Sequence, residues 1–199
     1  MSLPMVIEAT THGDRSMDIQ SRLLKERVIV INGEIDDQLS NSIIMQLLFL
    51  EQHNSEKAIR MYINSSGGYV TSGLAIYDTM CYIKPRIHTV VVGKAFSMAS
   101  VLAQAGNPGN RYIAPNARIM VHQPLGNFSG SVSDTELEYK ELLTYKGVIS
   151  NIYSLHNTKD KDPEFFIKIM DRNSYYSANE AIDIGLADKI LVQEPLYNY

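Results

Sequence analysis

Apolar and polar positions along this chain follow first one rhythm and then another, and each rhythm predicts an element. Residues 1–20 have no clear period and read as a flexible N-terminal arm, leaving 21–199 as one domain. The run Val28-Ile29-Val30-Ile31 is β-branched throughout, the mark of a strand buried on both faces. Asp36 or Asp37 then caps a helix whose Leu39, Ile43, Leu47 and Leu50 recur at helical spacing. Residues 59–63 predict the next strand, 70–83 a helix opening near Thr71, and 87–92 a third strand ending at Gly93. Residues 97–105 form a helix rich in small side chains, stopped by Gly106, and 117–122 a further strand.

Beyond His122 the pattern changes. Residues 123–132 are rich in Gly, Ser and Asn, and 133–157 predict one long helix opened by the capping box Ser133-x-x-Glu136. At 1.5 Å per residue such a helix extends about 37 Å, more than a compact domain of this size needs. Its first half is charged (Asp134, Glu136, Glu138, Lys140, Glu141), whereas its second carries Val148, Ile149, Ile152 and Leu155. That asymmetry predicts an arm, over about 123–157, rooted in the core and projecting toward a partner subunit. Two short helices follow, one opened by Asp162-Pro163 and one by the box Ser177-x-x-Glu180, ending at Gly185. Repeated β-then-α units with largely parallel strands define an α/β fold.

Composition narrows the function. A net charge of −4, with 18 Lys+Arg scattered along the chain, offers no basic surface for nucleic acid or an anionic membrane. No segment approaches the ~18 consecutive apolar residues of a membrane helix, and the first residues lack the charged and apolar regions of a signal peptide. The single cysteine, Cys81, permits no internal disulfide and fits a reducing compartment, so the expected location is cytoplasmic. Among Met80, Tyr82 and Ile83 it reads as a small buried hydrophobe.

Three strand ends carry the candidate chemistry. In Asn64-Ser65-Ser66-Gly67-Gly68 the paired glycines let backbone N–H groups approach a ligand, although a plain strand-to-helix turn would use them too. Ser97 stands where a helix begins, flanked by small residues. It is either an N-cap or a nucleophile whose oxyanion the unpaired N–H groups of the helix mouth would receive. His122 ends a β-branched strand just before Gln123-Pro124, and adjacent β-α units bring such strand ends together. His12, His53, His88 and His156 have no comparable setting and read as surface or structural residues.

The segments Tyr62-Ile63-Asn64-Ser65-Ser66-Gly67-Gly68, Ala95-Phe96-Ser97-Met98-Ala99 and Met120-Val121-His122-Gln123-Pro124-Leu125-Gly126 resemble the signature segments of the ClpP family, proteolytic subunits of Clp proteases. Asp18-Ile19-Gln20-Ser21-Arg22, Ile76-Tyr77-Asp78-Thr79-Met80 and Ser177-Ala178-Asn179-Glu180-Ala181 extend the likeness from about residue 4 to 192. The resemblance implies a ClpP/crotonase-like stack of β-β-α units. It also implies two seven-membered rings joined through the helical arm around a proteolytic chamber, and a hexameric AAA+ unfoldase of ClpX, ClpA or ClpC type. That ATPase would use the ATP and thread unfolded polypeptide inside, and this subunit would need no cofactor or metal. By matching position, Ser97 is the nucleophile, His122 the general base, and Gly68 and Met98 the oxyanion donors. Gly67 and the segment Gln123, Pro124, Leu125 and Gly126 would hold the substrate.

The sequence departs from the family at the third catalytic position, where Asn173 stands in place of an aspartate. Asp171 would take that place in a shifted register, but Arg172 matches the arginine preceding the family's aspartate. Asparagine can orient the imidazole but adds no charge to stabilise the imidazolium. The expectation is a serine endopeptidase subunit weak on its own, working in a homo-oligomer or with a better-equipped paralogue. The rival readings are a silent ring subunit and a crotonase-like acyl-CoA enzyme, which shares the fold but needs no serine–histidine pair. Ser66, Phe96 and Asn127 depart from a usual proline, alanine and glycine. Glu194 lies near an arginine used in ATPase docking, which would leave docking to a partner ring.

Overall fold

The computed structural model describes residues 4–10 and 13–192. It opens with an antiparallel pair, β1 (Met5–Thr10) and β2 (Gly13–Asp18), followed by α1 (Ile19–Lys25). The sequence shows no period here because Met5 and Ile7 face solvent. Polar contacts secure the pair instead, with Glu8 meeting Arg22 and Lys25 of α1. Asp18 caps α1 by accepting the Ser21 N–H at 2.8 Å.

The body of the chain alternates β3 (Val28–Ile35), α2 (Asp37–His53), β4 (Ile59–Gly68), α3 (Val70–Tyr82), β5 (Ile87–Phe96) and α4 (Met98–Gln104). After these come β6 (Arg111–Ile113), β7 (Arg118–Val121), α5 (Val132–Leu155), α6 (Pro163–Ile169), β8 (Ser174–Tyr176), α7 (Ala178–Asp183) and β9 (Lys189–Ile190). The main path of the sheet runs β3-β4-β5-β6-β9, all parallel, while β7 pairs with β5 in parallel and with β8 antiparallel. This is an α/β fold with a mainly parallel sheet and, among the described residues, seven helices. No helix among them is long and apolar enough to cross a membrane.

One face of the sheet is covered by α2, α3 and α4, which bury Ile29, Ile31, Ile59, Met61, Ile63 and Val91. The other face is open over much of its area, although α1 lies against β3 and Val28 and Val90 are buried there. Alternate residues of β4 are therefore buried and exposed, and Val30 of β3, expected inside a strand buried on both faces, is exposed. Arg60, Tyr62, His88 and Tyr112 line the open face.

The helices refine the sequence reading in three places. Asp36, not Asp37, caps α2, accepting the Leu39 N–H at 2.8 Å. Helix α5 is capped by Ser131 through the Asp134 N–H, two residues before the expected Ser133–Glu136 box. Cys81 is exposed rather than buried. The buried stripe of α3 is Ser72, Gly73, Ile76, Tyr77 and Met80, and Cys81, one turn after Tyr77, lies at its exposed edge. The asymmetry of α5 holds in part: Ile149, Ser150, Ile152 and Tyr153 are buried while Val132, Leu137 and Leu143 are exposed, but Val148 and Leu155, expected in the rooted half, are exposed as well.

The root of α5 is fixed by a buried cation. Arg111, 1% exposed, pairs with Asp188 through Nε at 2.9 Å. It also donates to the His156 carbonyl at 2.7 Å and to Thr158 Oγ1 at 3.1 Å. Every donor group of the guanidinium thus has a partner, which offsets its desolvation. His156 has a structural setting, with Nε2 3.0 Å from the Tyr77 hydroxyl. His53 stacks on Phe49, and His12 lies outside the described residues, as does Glu194.

Candidate active site

The site is built where β5 forks. Its first half pairs with β6 (Thr89–Val91 against Arg111–Ile113) and its second half with β7 (Lys94–Phe96 against Arg118–Met120). Gly93 stands between the two halves at φ 75°, a conformation that glycine adopts without strain. The strand therefore runs four residues past its expected end and delivers Ser97 to the mouth of α4 beside the end of β7. The Ser97 N–H donates to the Met120 carbonyl at 2.9 Å, fixing the two chains side by side.

Ser97 occupies φ 54°, ψ −129°, and its hydroxyl makes no capping bond to α4. A non-glycine residue in that region costs of order 1–3 kcal/mol and persists where surrounding structure imposes it. The ordinary role of a serine at a helix start, capping, is thus not the one performed. Instead Ser97 Oγ stands 2.8 Å from His122 Nε2.

Gly67 and Gly68 lie within the strand β4 rather than in a turn after it. Gly67, at φ 89°, faces the serine so closely that a Cβ there would lie 2.6 Å from the Ser97 Cβ and 3.0 Å from the Met98 nitrogen. A Cβ on Gly68 would collide with the Ile35 backbone. Only glycine permits both approaches. Met98 is the first residue of α4, so its N–H has no intrahelical acceptor.

The other side of the imidazole meets the α6–β8 turn. In the β7–β8 ladder Ile119 opposes Tyr176, Met120 opposes Tyr175 and Val121 opposes Ser174. One further step of that register would set His122 opposite Asn173, but the pairing ends at Val121 and Ser174, and the Gln123 N–H reaches the Met170 carbonyl instead. His122 and Asn173 line one open groove of about 440 Å³, together with Gln123, Leu125, Asp171 and Arg172. Among the described residues, however, no hydrogen bond joins His122 to Asn173 or to Asp171. The Asp171 carboxylate lies 3.6 Å from Arg172 Nε, and all three residues of the turn are exposed. Burial lowers the His122 pKa from its ordinary 6.5, with no carboxylate acting to raise it.

The remaining predicted residues divide. Pro124 is buried, Leu125 is exposed, and Gly126 packs on Phe128 and Leu142. The Gln123 side chain is engaged within the chain. Phe96 packs edge-on against Tyr175, with the Lys94 ammonium 5.8 Å from its ring centroid.

Sequence reasoning missed three residues that shape the site. Buried Ser65 accepts the Gly67 N–H at 3.0 Å and donates to the Gly33 carbonyl at 2.5 Å, fixing the glycine pair. Ser100 Oγ donates to the Ser97 carbonyl and meets the Tyr153 hydroxyl, both at 2.6 Å, tying the Ser97 turn to α5. A buried hydroxyl has no periodic signature, so nothing in the sequence announces these contacts. The family model described as Clp protease matches residues 11–194 of the chain.

Proposed function

From the premise that this chain belongs to the Clp protease family, we propose that it is a serine endopeptidase subunit of a barrel-shaped, ATP-dependent Clp protease. Its substrates are unfolded proteins, cut to small peptides. The observation that carries this reading is the 2.8 Å contact between Ser97 Oγ and His122 Nε2, made by a serine held in a strained, uncapped conformation.

In the reaction Ser97 Oγ attacks the peptide carbonyl as its proton passes to His122 Nε2. The oxyanion forms between the Gly68 and Met98 N–H groups, which the approach of β4 to the α4 mouth supports. The imidazolium then protonates the leaving amine, and water releases the acyl group by the same route in reverse. Gly67 and residues 124–126 hold the substrate as an extended strand beside the nucleophile, the polar groups of the Gln123 side chain being engaged within the chain. This chemistry draws no cofactor or metal from the chain, and ATP is hydrolysed by a hexameric AAA+ partner that unfolds the substrate.

Asn173 makes the activity conditional. Where an aspartate of the serine protease triad is replaced by asparagine, kcat falls roughly 10⁴-fold, because the imidazole is no longer held in the correct tautomer and the imidazolium lacks its counter-charge. Assembly into two heptameric rings, in which a fully equipped paralogue can take part, is the setting in which this subunit acts. The exposed apolar residues of α2 (Met45, Leu48, Phe49) and α5 (Val132, Leu137, Leu143) support such assembly. Peptide hydrolysis by the purified homo-oligomer should be slow, and Asn173→Asp should raise kcat by one to several orders of magnitude. Equal rates for the two would refute the role given to Asn173.

The unaccompanied Nδ1 side of His122 favours one alternative, a catalytically silent or regulatory ring subunit beside an active paralogue. Covalent labelling of Ser97 by a fluorophosphonate separates the two readings. A silent subunit stays unlabelled, whereas an endopeptidase is labelled even when turnover is slow.

A further inference from the structure

Gln123 follows the candidate general base and uses all of its polar reach inside the chain. Its backbone N–H donates to the Met170 carbonyl at 2.7 Å, and its Nε2 donates to the Asp171 carbonyl at 3.0 Å. Its Oε1 accepts from Lys146 Nζ of α5, also at 3.0 Å. Both partners are unambiguous chemically, since a reversed amide would point its NH₂ at an ammonium and its oxygen at a carbonyl.

These bonds enclose His122 and Asn173. On one side the β7–β8 ladder ends at Val121 and Ser174. On the other, Gln123 grips the carbonyls of residues 170 and 171, two or three residues before Asn173. The two residues therefore sit in a short gap tied at both ends, and one of those ties is a side chain. Asp171, Arg172 and Asn173 are exposed, so packing does little to hold the turn, which is tied within itself by the Ser174 hydroxyl donating to the Ile169 carbonyl at 2.7 Å and to the His122 strand by Gln123.

We propose that Gln123 is a positioning residue that fixes the Asn173 turn against His122 and links that pair to α5 through Lys146. This rests on the reading of His122 as general base. Only a neutral amide suits the place, because it must donate to a carbonyl and accept from an ammonium at once. A carboxylate would keep the lysine but repel the Asp171 carbonyl, and an apolar side chain of the same length would lose both.

The test uses the full chain in the assembly it forms and follows the rate of Ser97 labelling by a fluorophosphonate against pH. Gln123→Met should slow labelling on the order of tenfold to a hundredfold, the loss expected when a catalytic group is misplaced by about an ångström. Gln123→Glu should slow it as well, and Lys146→Met by less. The exchange of Gln123→Lys with Lys146→Glu restores a donor toward Asp171 and a pair toward α5, and should recover most of the loss that either change causes alone. The pH midpoint of labelling should move in Gln123→Met and return in the exchange. A raised KM with unchanged kcat and labelling would make Gln123 a substrate contact and overturn the proposal.

A second readout needs no turnover. The His122 imidazole resonances, followed by NMR of histidine-labelled protein, should shift in Gln123→Met and return in the paired exchange. Unchanged resonances in a folded variant would also overturn the proposal. If the unmutated chain takes no label at all, the peptidase reading fails, while the resonances still decide the role of Gln123.

Discussion

The two edges of the His122 ring lie in unlike surroundings. At Nε2 stands a serine delivered by a ten-residue strand of the parallel sheet, with Ala95, Met98, Ile119 and Val121 buried around it and a hydroxyl 2.8 Å away. At the other edge lies an exposed turn, Asp171-Arg172-Asn173, leading into a ladder of three residue pairs and making no hydrogen bond to the ring. In the proposed mechanism the half of the site that moves a proton is preorganised by the core. The half that would stabilise the resulting charge has a neutral side chain on an exposed turn. Such a site can form its nucleophile and still turn over slowly, because the imidazolium is left without a counter-charge in a partly desolvated place.

The largest effect should come from breaking the firm half outright. Ser97→Ala should abolish fluorophosphonate labelling and peptide hydrolysis while leaving circular dichroism unchanged, since the hydroxyl caps nothing. Gly67→Ala should come next. Its methyl would meet the Phe96 carbonyl and the Ser97 Cβ, each at 2.6 Å, at a φ that disfavours any side chain. Hydrolysis measured at saturating peptide should fall on the order of 100-fold, because the nucleophile is displaced.

Why Ser97 and His122 were legible in the sequence and their support was not follows from element length. Ser97 and His122 end apolar runs long enough to show a period, so their strand ends could be predicted. Strands β6, β8 and β9 have two or three residues each, too few for any alternation to register. Yet β8 is what brings Asn173 into the groove it shares with His122. The glycines of β4 read as a turn because Gly67-Gly68 punctuates most chains that way. Here their lack of side chains serves a close approach within a strand. Ser131 and Ser133 both precede an acidic residue by three positions, and the pattern alone preferred the Ser133–Glu136 pair that the structure does not use as the cap.

A smaller effect should appear in stability against pH. Burial lowers the pKa values of His122, His88 and His156 from 6.5, so folding favours their neutral forms. Their contribution is complete above the unfolded value and is lost as pH falls through the folded ones. Tm should therefore decline between pH about 7.5 and about 5.5, and His122→Gln should make that decline shallower.

The most direct test of the contrast between the two edges is the rate of Ser97 labelling in the assembled protein, measured across pH for the unmutated chain and for Asn173→Asp. Neutral His122 is the active form, so labelling should rise with pH through its pKa. In the unmutated chain the midpoint should lie below 6.5. In Asn173→Asp labelling should be faster and the midpoint higher, because a carboxylate favours the imidazolium. Identical rates and midpoints would contradict the account, since they would mean that the Asn173 edge has no part in setting the reactivity of Ser97.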